Sequence, residues 1–470
     1  MSWTEITPGR YQRPLGGAEN GMIAAITGER QLVREPIRIH AFADFMLEEE
    51  DPADVIAAFR DAWKALRLLK SPDIATTYGD GHSHYKVPSV EELERWLQQT
   101  FRVAQGGISA QVVVKEMQSL QEMLPVFYIV PQHSEAGFKA SVILFISHWR
   151  TEAAGAFKMI SHVLGYASDI LSGTSTREAL SRHLPGSEAR LLNPTLEDIM
   201  MPNKSTTPES KSRIQQLLED YDSKLPPLDF PMQRDPSTIP SSVKLKLRRY
   251  KETTTSSLVN ACKARGISVT AAVHSAYLEA VWQLADNDKK SRNYASMMPA
   301  QVRTRLPPTS RYRDQGAWNA SQMLMMSALA GQDFLTRALD LKRQYAIASQ
   351  QTWLYEDMRE MSEQLGAHPL ALEASMPWFT SHGVLDQEMI PQSYGKLKVE
   401  SILVFADPVL GPGIVLGVWT FRGKMTVEVH WNTAFYRDDI MQSTLDIIDQ
   451  TLSTELGLNM EIEGAMLTEF

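Results

Sequence analysis

Residues 141–155 read SVILFISHWRTEAAG, and this stretch decides the fold class of the chain. Its first part, 141–147, is apolar without polar alternation, which predicts a strand buried on both faces. Apolar residues return at three- and four-residue spacing over 157–164, so a loop and then a helix are expected after the strand. A buried strand that leads into an amphipathic helix indicates an α/β protein, and His148 lies at the junction.

A long amphipathic helix is predicted upstream of this strand. The segment 51–70, DPADVIAAFRDAWKALRLLK, repeats apolar residues at helical spacing. Asp51 is a suitable cap for its first turn, and proline is tolerated at the position of Pro52. Two runs rich in β-branched or aromatic residues, 111–114 and 126–130, predict further strands before residue 141.

The second half of the chain shows the same mixture of patterns. Helices are predicted over 270–284, 334–351 and 438–452, and strands over 293–298, 414–421 and 424–430. The dipeptide Arg422-Gly423 separates the last two strands and predicts a hairpin turn.

A change of composition separates the two halves. Residues 202–242 are rich in Pro, Ser, Thr, Lys and Asp, which is typical of a segment that crosses between domains. We therefore expect an N-terminal lobe over 1–201, a crossing linker over 202–242 and a C-terminal lobe over 243–470. A chain of 470 residues is long enough for two such lobes.

Composition also narrows the class of protein. With 43% hydrophobic and 22% charged residues, the chain is expected to fold rather than to remain disordered. The net charge of −9 and the lack of a long Lys/Arg run argue against nucleic acid or a membrane surface as a partner. The sequence has no signal-peptide pattern and no apolar stretch of membrane length, so we expect a cytoplasmic protein, and a monomer. The lone cysteine, Cys262, is expected to be a packing residue.

His148 is the strongest candidate for chemistry among the eleven histidines. A side chain at the end of a buried strand is held rigidly while its neighbours form a loop, which suits a general base. A neutral imidazole with its ordinary pKa of about 6.5 can take a proton from an alcohol that attacks an acyl carbon. On position alone, a histidine that merely ends a strand is the alternative.

His274 lies in an apolar helical pattern and is expected to be packed, and the spacing of His82 and His84 is too weak to predict a metal site.

Several segments, taken in order, resemble the chloramphenicol acetyltransferase superfamily. Besides 148–152 and the helix at 51–70, they are YQRPLGGAENGM (11–22), GISVTAAVHSAYLEAVWQL (266–284), ASMMPAQVRTRLPP (295–308) and TSHGVLDQEM (380–389). The superfamily includes plant BAHD acyltransferases, condensation domains of nonribosomal peptide synthetases, and fungal acetyltransferases of the trichothecene 15-O-acetyltransferase type. The fungal type is the most similar, and the resemblance extends over nearly the whole chain.

The resemblance implies two α/β lobes, mixed sheets flanked by helices, that enclose a central tunnel. His148 would be the general base of an HxxxD-like motif, here HxxxE. Glu152 would replace the family's aspartate and pair with Arg303, which shapes the loop, because a guanidinium fork accepts either carboxylate. The chain departs from the pattern again at Ala153, where the family has glycine, and alanine there is expected to crowd the tunnel floor.

The resemblance also implies substrate contacts. Thr380 or Ser381 would donate a hydrogen bond to the developing oxyanion, although a capped turn explains the same residues equally well. Trp149, Asn319 and His382 would contact substrate.

The sequence therefore predicts an O-acyltransferase that transfers an acyl group, most simply acetyl, from coenzyme A to a hydroxyl of a small secondary metabolite. The partners are a small-molecule alcohol and acyl-CoA as co-substrate, with no permanently bound cofactor and no metal. Two alternatives stay open. One is a cyclase or pericyclase on the same two-lobed fold, and the other is a condensation enzyme whose acyl donor is bound to a carrier protein.

Overall fold

The chain forms two compact units, each discontinuous in sequence. The computed structural model describes residues 3–27, 37–48, 50–118, 124–134, 137–200, 207–234, 242–350, 357, 360–361, 364, 377–407 and 412–464. Unit 1 comprises Met1–Asn203, Gln301–Ser321 and Asp386–Ala406, and unit 2 comprises Lys204–Ala300, Gln322–Leu385 and Asp407–Phe470. Unit 1 thus takes two segments from the second half of the chain.

The strands, in chain order, are β1 (Thr4–Thr7), β2 (Arg10–Pro14), β3 (Arg38–Leu47), β4 (Thr77–Gly79), β5 (His82–Lys86), β6 (Phe101–Val103), β7 (Val126–Gln132), β8 (Phe138–Ser147), β9 (Val243–Arg249), β10 (Tyr294–Gln301), β11 (Ser321–Ala328), β12 (Pro377–Val384), β13 (Ser393–Tyr394), β14 (Leu397–Ala406), β15 (Ile414–Phe421) and β16 (Lys424–Asn432).

The helices are α1 (Gly17–Thr27), α2 (Pro52–Ala65), α3 (Val90–Thr100), α4 (Ala110–Gln118), α5 (Ala153–Leu171), α6 (Ser175–Ser181), α7 (Leu196–Met200), α8 (Pro208–Asp222), α9 (Glu252–Ala264), α10 (Val269–Leu284), α11 (Phe334–Gln350), α12 (Leu385–Glu388) and α13 (Asp438–Leu456). None of the helices in the described ranges is both long and apolar enough to cross a membrane.

Unit 1 is built on a six-stranded mixed sheet of order β13-β14-β3-β8-β7-β6. β8 lies in its interior, pairs antiparallel with β3 and β7, and is buried over 140–147. Helices α2 and α5 pack against each other, and the Asp51 carboxylate caps α2 by accepting a hydrogen bond from the Ala53 amide at 2.7 Å. A second sheet of unit 1 has the order β1-β2-β5-β4. The buried strand β8 therefore fixes the position of the loop that follows it.

Unit 2 is built on a four-stranded sheet of order β12-β15-β16-β9, with a separate pair β10-β11. One face of the larger sheet contributes Leu416, Val418 and Val427 to the core and packs against α9, α10 and α13. The turn between β15 and β16 has two residues with positive φ, Arg422 at 51° and Gly423 at 73°, as a two-residue hairpin of the right twist requires.

Most of the predicted elements are confirmed, and so is the α/β fold class. The predicted strand over 111–114 is wrong, because these residues belong to helix α4. A helix buries Val113 and Val114 on one side with Met117 and leaves Val112 at 52% exposure. The packing of that apolar face outweighs the strand preference of three consecutive valines.

Two predictions about single side chains are also confirmed. Cys262 is buried in the core of unit 2. His274 is buried on α10, where its ring nitrogens make hydrogen bonds with the hydroxyls of Tyr345 (2.5 Å) and Tyr294 (3.1 Å). Burial lowers the pKa of His274 to about 3, so its role in the core is that of a neutral packed ring.

The lobe boundaries at 201 and 242 stay a prediction, and so does the tunnel. Part of the expected linker, 202–206 and 235–241, lies outside the described residues, and another part forms helix α8. A linear division also leaves out the two segments that join unit 1 from the second half. One of them carries β14, which pairs with β3 in the large sheet of unit 1.

Candidate active site

His148 directly follows the buried strand β8, and its side chain is half-buried. The short loop 148–152 leads from it into α5. Asn319 holds this loop by donating a hydrogen bond from Nδ2 to the backbone carbonyl of His148 at 2.8 Å. Its Oδ1 in turn accepts a hydrogen bond from the Ser321 hydroxyl at 2.7 Å. Asn319, expected from the sequence to contact substrate, thus lies where it positions the histidine.

The surroundings of His148 favour a neutral ring. Burial lowers its pKa below the ordinary 6.5, and nearby backbone groups of His148 and Thr151 oppose that shift without cancelling it. Within the described ranges, no group lies in hydrogen-bonding geometry to the buried Nδ1 atom. A neutral imidazole has an unprotonated nitrogen, so the ring is in the protonation state that a general base needs.

Both carboxylate oxygens of Glu152 are engaged away from the histidine. Oε1 accepts hydrogen bonds from Nη1 of Arg303 and from the Gly155 amide at 3.1 Å, while Oε2 accepts one from the Ala320 amide at 2.8 Å. The side chain is only 10% exposed. Glu152 therefore neutralises a buried cation and caps the first turn of α5 at the same time.

Arg303 is almost completely buried and uses its whole guanidinium group. In addition to the ion pair with Glu152, Nε donates to the carbonyl of Gln315 at 3.1 Å and Nη2 to that of Trp318 at 2.6 Å. Burial lowers the pKa of Arg303 to about 9 and the Asp314 carboxylate opposes that shift, so the group stays cationic at neutral pH. The pair ties the His148 loop to the segment Gln301–Ser321 of the same unit.

The position at which only glycine fits is residue 155, and not residue 153 as the resemblance implied. A Cβ atom at Gly155 would lie 2.1 Å from the Thr151 hydroxyl oxygen and 2.4 Å from the Gly316 carbonyl oxygen, so only glycine fits. Ala153 and Ala154 are partly exposed. The chain therefore has its required glycine three residues after Glu152, at the point where α5 approaches the segment that carries Arg303.

Arg150 anchors the loop on its other side, and the sequence reasoning missed it. Its guanidinium donates hydrogen bonds to the Thr76 carbonyl (2.5 Å), the Thr76 hydroxyl (2.9 Å) and the Asp73 carbonyl (3.2 Å). It also lies 4.3 Å from the ring centroid of Trp149. Trp149, expected to contact substrate, is only 5% exposed and packs edge-on against Tyr78. The two side chains thus support the loop from inside unit 1.

Two further supporting residues were also missed, for different reasons. The Thr151 hydroxyl donates a hydrogen bond to the Gly316 carbonyl at 2.7 Å. For Arg150 and Thr151 the sequence offered a signal, since both lie within the motif between His148 and Glu152. For Gly316 it offered none, because the contact joins residues 165 positions apart.

The remaining predicted residues, Thr380, Ser381 and His382, lie on strand β12 of unit 2 and not in a turn. Thr380 is in register with Gly417, and Ser381 with Val418, so their side chains point to opposite faces of the sheet. The Ser381 and Thr270 hydroxyls share a hydrogen bond of 3.0 Å, in which either is the donor.

His382 is half-buried and lies near two buried ionisable side chains of unit 2, Glu428 and His430. Burial and the neighbouring His430 lower the pKa of His382 to about 4. The Glu428 carboxylate lies 3.0 Å from Nδ1 of His430. Burial raises the pKa of Glu428. A Cβ at Gly417 would lie 2.4 Å from the Glu428 carboxylate, so this glycine makes room for the buried acid. His382 is thus a neutral polar side chain near the hydrogen-bonded side chains of Glu428 and His430.

No group of three or more His, Cys, Asp or Glu side chains that could hold a metal ion occurs among the residues with described positions. The site in unit 1 instead consists of one neutral histidine on a loop that is held by buried hydrogen bonds. Such an arrangement can accept a proton at a defined position, and it leaves the glutamate with a structural role.

Comparison of the sequence with known proteins finds similar chains over nearly the whole length. No family model matches the sequence. The chain is 27% identical to the O-acetyltransferase pigM of Monascus ruber, over 98% of this chain and 88% of that protein. It is 26% identical to the acetyltransferase pigO of the same organism, over 97% of this chain and 99% of that protein.

Two solved structures have the same fold at low sequence identity. TRI3, a trichothecene 15-O-acetyltransferase from Fusarium sporotrichioides, superposes with a TM-score of 0.81 at 14% identity, over 96% of this chain and 97% of that one. The condensation domain of the Monacolin K polyketide synthase MokA gives a TM-score of 0.61 at 10% identity, over 98% of this chain and 100% of that one. The resemblance predicted from the sequence is therefore confirmed in the fold, and the fungal acetyltransferase is the more similar of these two structures.

Proposed function

We propose that this chain is an O-acyltransferase that transfers an acetyl group from coenzyme A to a hydroxyl of a small secondary metabolite, with His148 as the general base. The observation that carries the proposal is the environment of His148. Burial lowers the pKa of the ring, which favours its neutral form. The ring lies on a loop that is held by the ion pair of Glu152 with Arg303. The full-length similarity to two acetyltransferases supports the same activity.

The proposed reaction needs a proton acceptor, a hydrogen-bond donor to the oxyanion, and the two substrates. His148 takes the proton of the acceptor hydroxyl as its oxygen attacks the thioester carbon. The tetrahedral intermediate carries a negative oxygen, for which Thr380 or Ser381 is the proposed hydrogen-bond donor. The intermediate then collapses, coenzyme A leaves as a thiolate, and the thiolate takes the proton from the histidine. Acyl-CoA is consumed as a substrate, so no bound cofactor is required.

A direct assay tests the proposal. The purified chain is incubated with acetyl-CoA and a panel of polyketide and terpenoid alcohols, and both the released thiol and the acetyl ester are measured. We expect ester formation that depends on acetyl-CoA. Conversion of an acceptor without any donor would instead identify a cyclase, and transfer only from an acetylated carrier protein would identify a condensation enzyme.

The dependence of the rate on pH follows from the environment of His148. Since burial lowers its pKa below 6.5, the neutral form already predominates at about pH 7. We expect kcat/KM to be flat above about pH 7 and to fall about tenfold per pH unit below the lowered pKa. Circular dichroism over the same range separates titration from unfolding. An acidic limb with an apparent pKa above 6.5 would argue against His148 as the base.

The two hydroxyls on β12 should contribute unequally. Adjacent residues of a strand point to opposite faces, so only one of Thr380 and Ser381 can face the reacting carbonyl. We expect one of the variants Thr380→Val and Ser381→Ala to lose ~10²–10³ in kcat, the usual value of an oxyanion donor, and the other to lose far less. The measurement is kcat of both variants in steady-state assays. Thr270→Val is the control, because it removes the hydrogen bond between Thr270 and Ser381 but keeps the Ser381 hydroxyl. Equal losses would remove both from this role.

A further inference from the structure

A surface cavity in unit 1 has an unusual concentration of positive charge. It has a volume of about 480 Å³ and lies between the hairpins β1–β2 and β4–β5 and helix α3. The charged side chains in its wall are Arg10, Arg67, Lys86, Arg95 and Glu92. Lys86 and Glu92 form an ion pair, so three arginines are left in a chain whose net charge is −9. The cavity should therefore attract anions.

Arg67 gives this cavity a rigid, buried cation. It lies on a single π-helical turn, Leu66–Lys70, at the end of α2, and such turns are frequent at functional sites. Its guanidinium is 4.6 Å from the ring centroid of Trp96, and both residues are only 5% exposed. In the described part of the chain, Nε of Arg67 and Nε1 of Trp96 have no hydrogen-bond partner. Two buried N–H groups without acceptors are costly, and they leave the positive charge of Arg67 incompletely compensated by hydrogen bonds.

Glu188, whose charge acts on Arg67, has other partners. Glu188 accepts a hydrogen bond from the Tyr85 hydroxyl at 2.9 Å and lies 3.1 Å from Nε2 of His183. Tyr85, Glu188 and Glu92 favour the charged form of Arg67. Burial lowers the pKa of Arg67, as expected for a cation with incomplete compensation.

We propose that this cavity binds a phosphorylated small molecule. Guanidinium groups match the oxygens of a phosphate in pairs, and three of them suit its double negative charge. The volume falls in the range of small-molecule sites, so the ligand has an organic part as well as the phosphate. The half-buried ring of Tyr11 in the wall offers this part an apolar contact. The inference rests on unit 1 alone and does not depend on acyl transfer.

Calorimetry with the full-length chain tests the site. The probes are adenosine monophosphate, inorganic phosphate and adenosine, which separate the phosphate ester, the free anion and the organic part. We expect adenosine monophosphate to bind more tightly than phosphate, adenosine not to bind, and added salt to weaken binding. The double variant Arg10→Gln/Arg95→Gln changes two exposed side chains and should raise the Kd for adenosine monophosphate about tenfold or more.

The matched control is Arg60→Gln, which removes an arginine of the same unit from outside the cavity and should leave the Kd unchanged. Arg67→Gln is a further variant, which alters a buried residue. If Arg67→Gln does not fold, the double variant still tests the site, because Arg10 and Arg95 are exposed. Absence of binding, equal affinity for phosphate and adenosine monophosphate, or the same Kd in the double variant would each overturn the proposal.

Discussion

Replacement of His148 by alanine is expected to lower turnover by ~10²–10⁴, the usual contribution of a positioned general base. The fold should be retained, because the loop is held by contacts that do not involve the imidazole. Arg150 is bound to Thr76, and Asn319 binds the backbone carbonyl of residue 148, which alanine also has. The loss corresponds to ~2.7–5.5 kcal/mol of activation free energy. The measurement is kcat and KM for acetyl transfer with the best acceptor of the panel.

The matched control is His133→Ala, which removes an exposed histidine of the same unit. It should leave both kinetic constants unchanged. The binding of acetyl-CoA to the His148→Ala variant, measured by calorimetry, should equal that of the parent chain, since the histidine acts in the chemical step. Undiminished turnover in this variant would remove His148 from the mechanism and favour the cyclase alternative.

Replacement of Glu152 by alanine is expected to reduce both stability and activity. It leaves the guanidinium of Arg303 buried without a carboxylate and removes the acceptor of two backbone amides. Breaking a buried ion pair costs ~3–5 kcal/mol. The free energy of unfolding from urea denaturation, monitored by far-UV circular dichroism, measures the loss. Activity should fall as well, because the displaced loop carries His148.

Variants of the same residue separate charge, length and position. Glu152→Asp keeps the charge but shortens the reach to Arg303, so we expect a smaller loss than with alanine. Glu178→Ala is the control, since its pair with Arg182 is exposed and should contribute less than about 1 kcal/mol. A double-mutant cycle with Arg303→Met should show strong coupling with Glu152. A Glu152→Ala chain as stable as the Glu178→Ala control would disprove the structural role of the pair.

Local patterns in the sequence predicted much of the fold for a physical reason. A strand such as β8 and helices such as α10 and α13 must each bury an apolar surface, and that need is visible in the spacing of their own residues. The hairpin at Arg422-Gly423 was predictable because glycine readily adopts the positive φ that a two-residue turn needs. The pattern failed at α4, since three consecutive valines are compatible with a strand or a packed helix, and only the packing partners decide.

The candidate site divides in the same way between sequence and tertiary structure. The sequence by itself determined that a histidine follows a buried strand and that an acid lies four residues later, because both features are local. The tertiary structure decided what each side chain does. Asn319 and Trp149 support the loop instead of contacting substrate. Gly155 allows the close approach of α5 to Gly316, and Arg150 holds the loop through hydrogen bonds to Thr76. These roles depend on contacts with segments far away in the chain, such as 301–321, and chain folding alone brings such segments together.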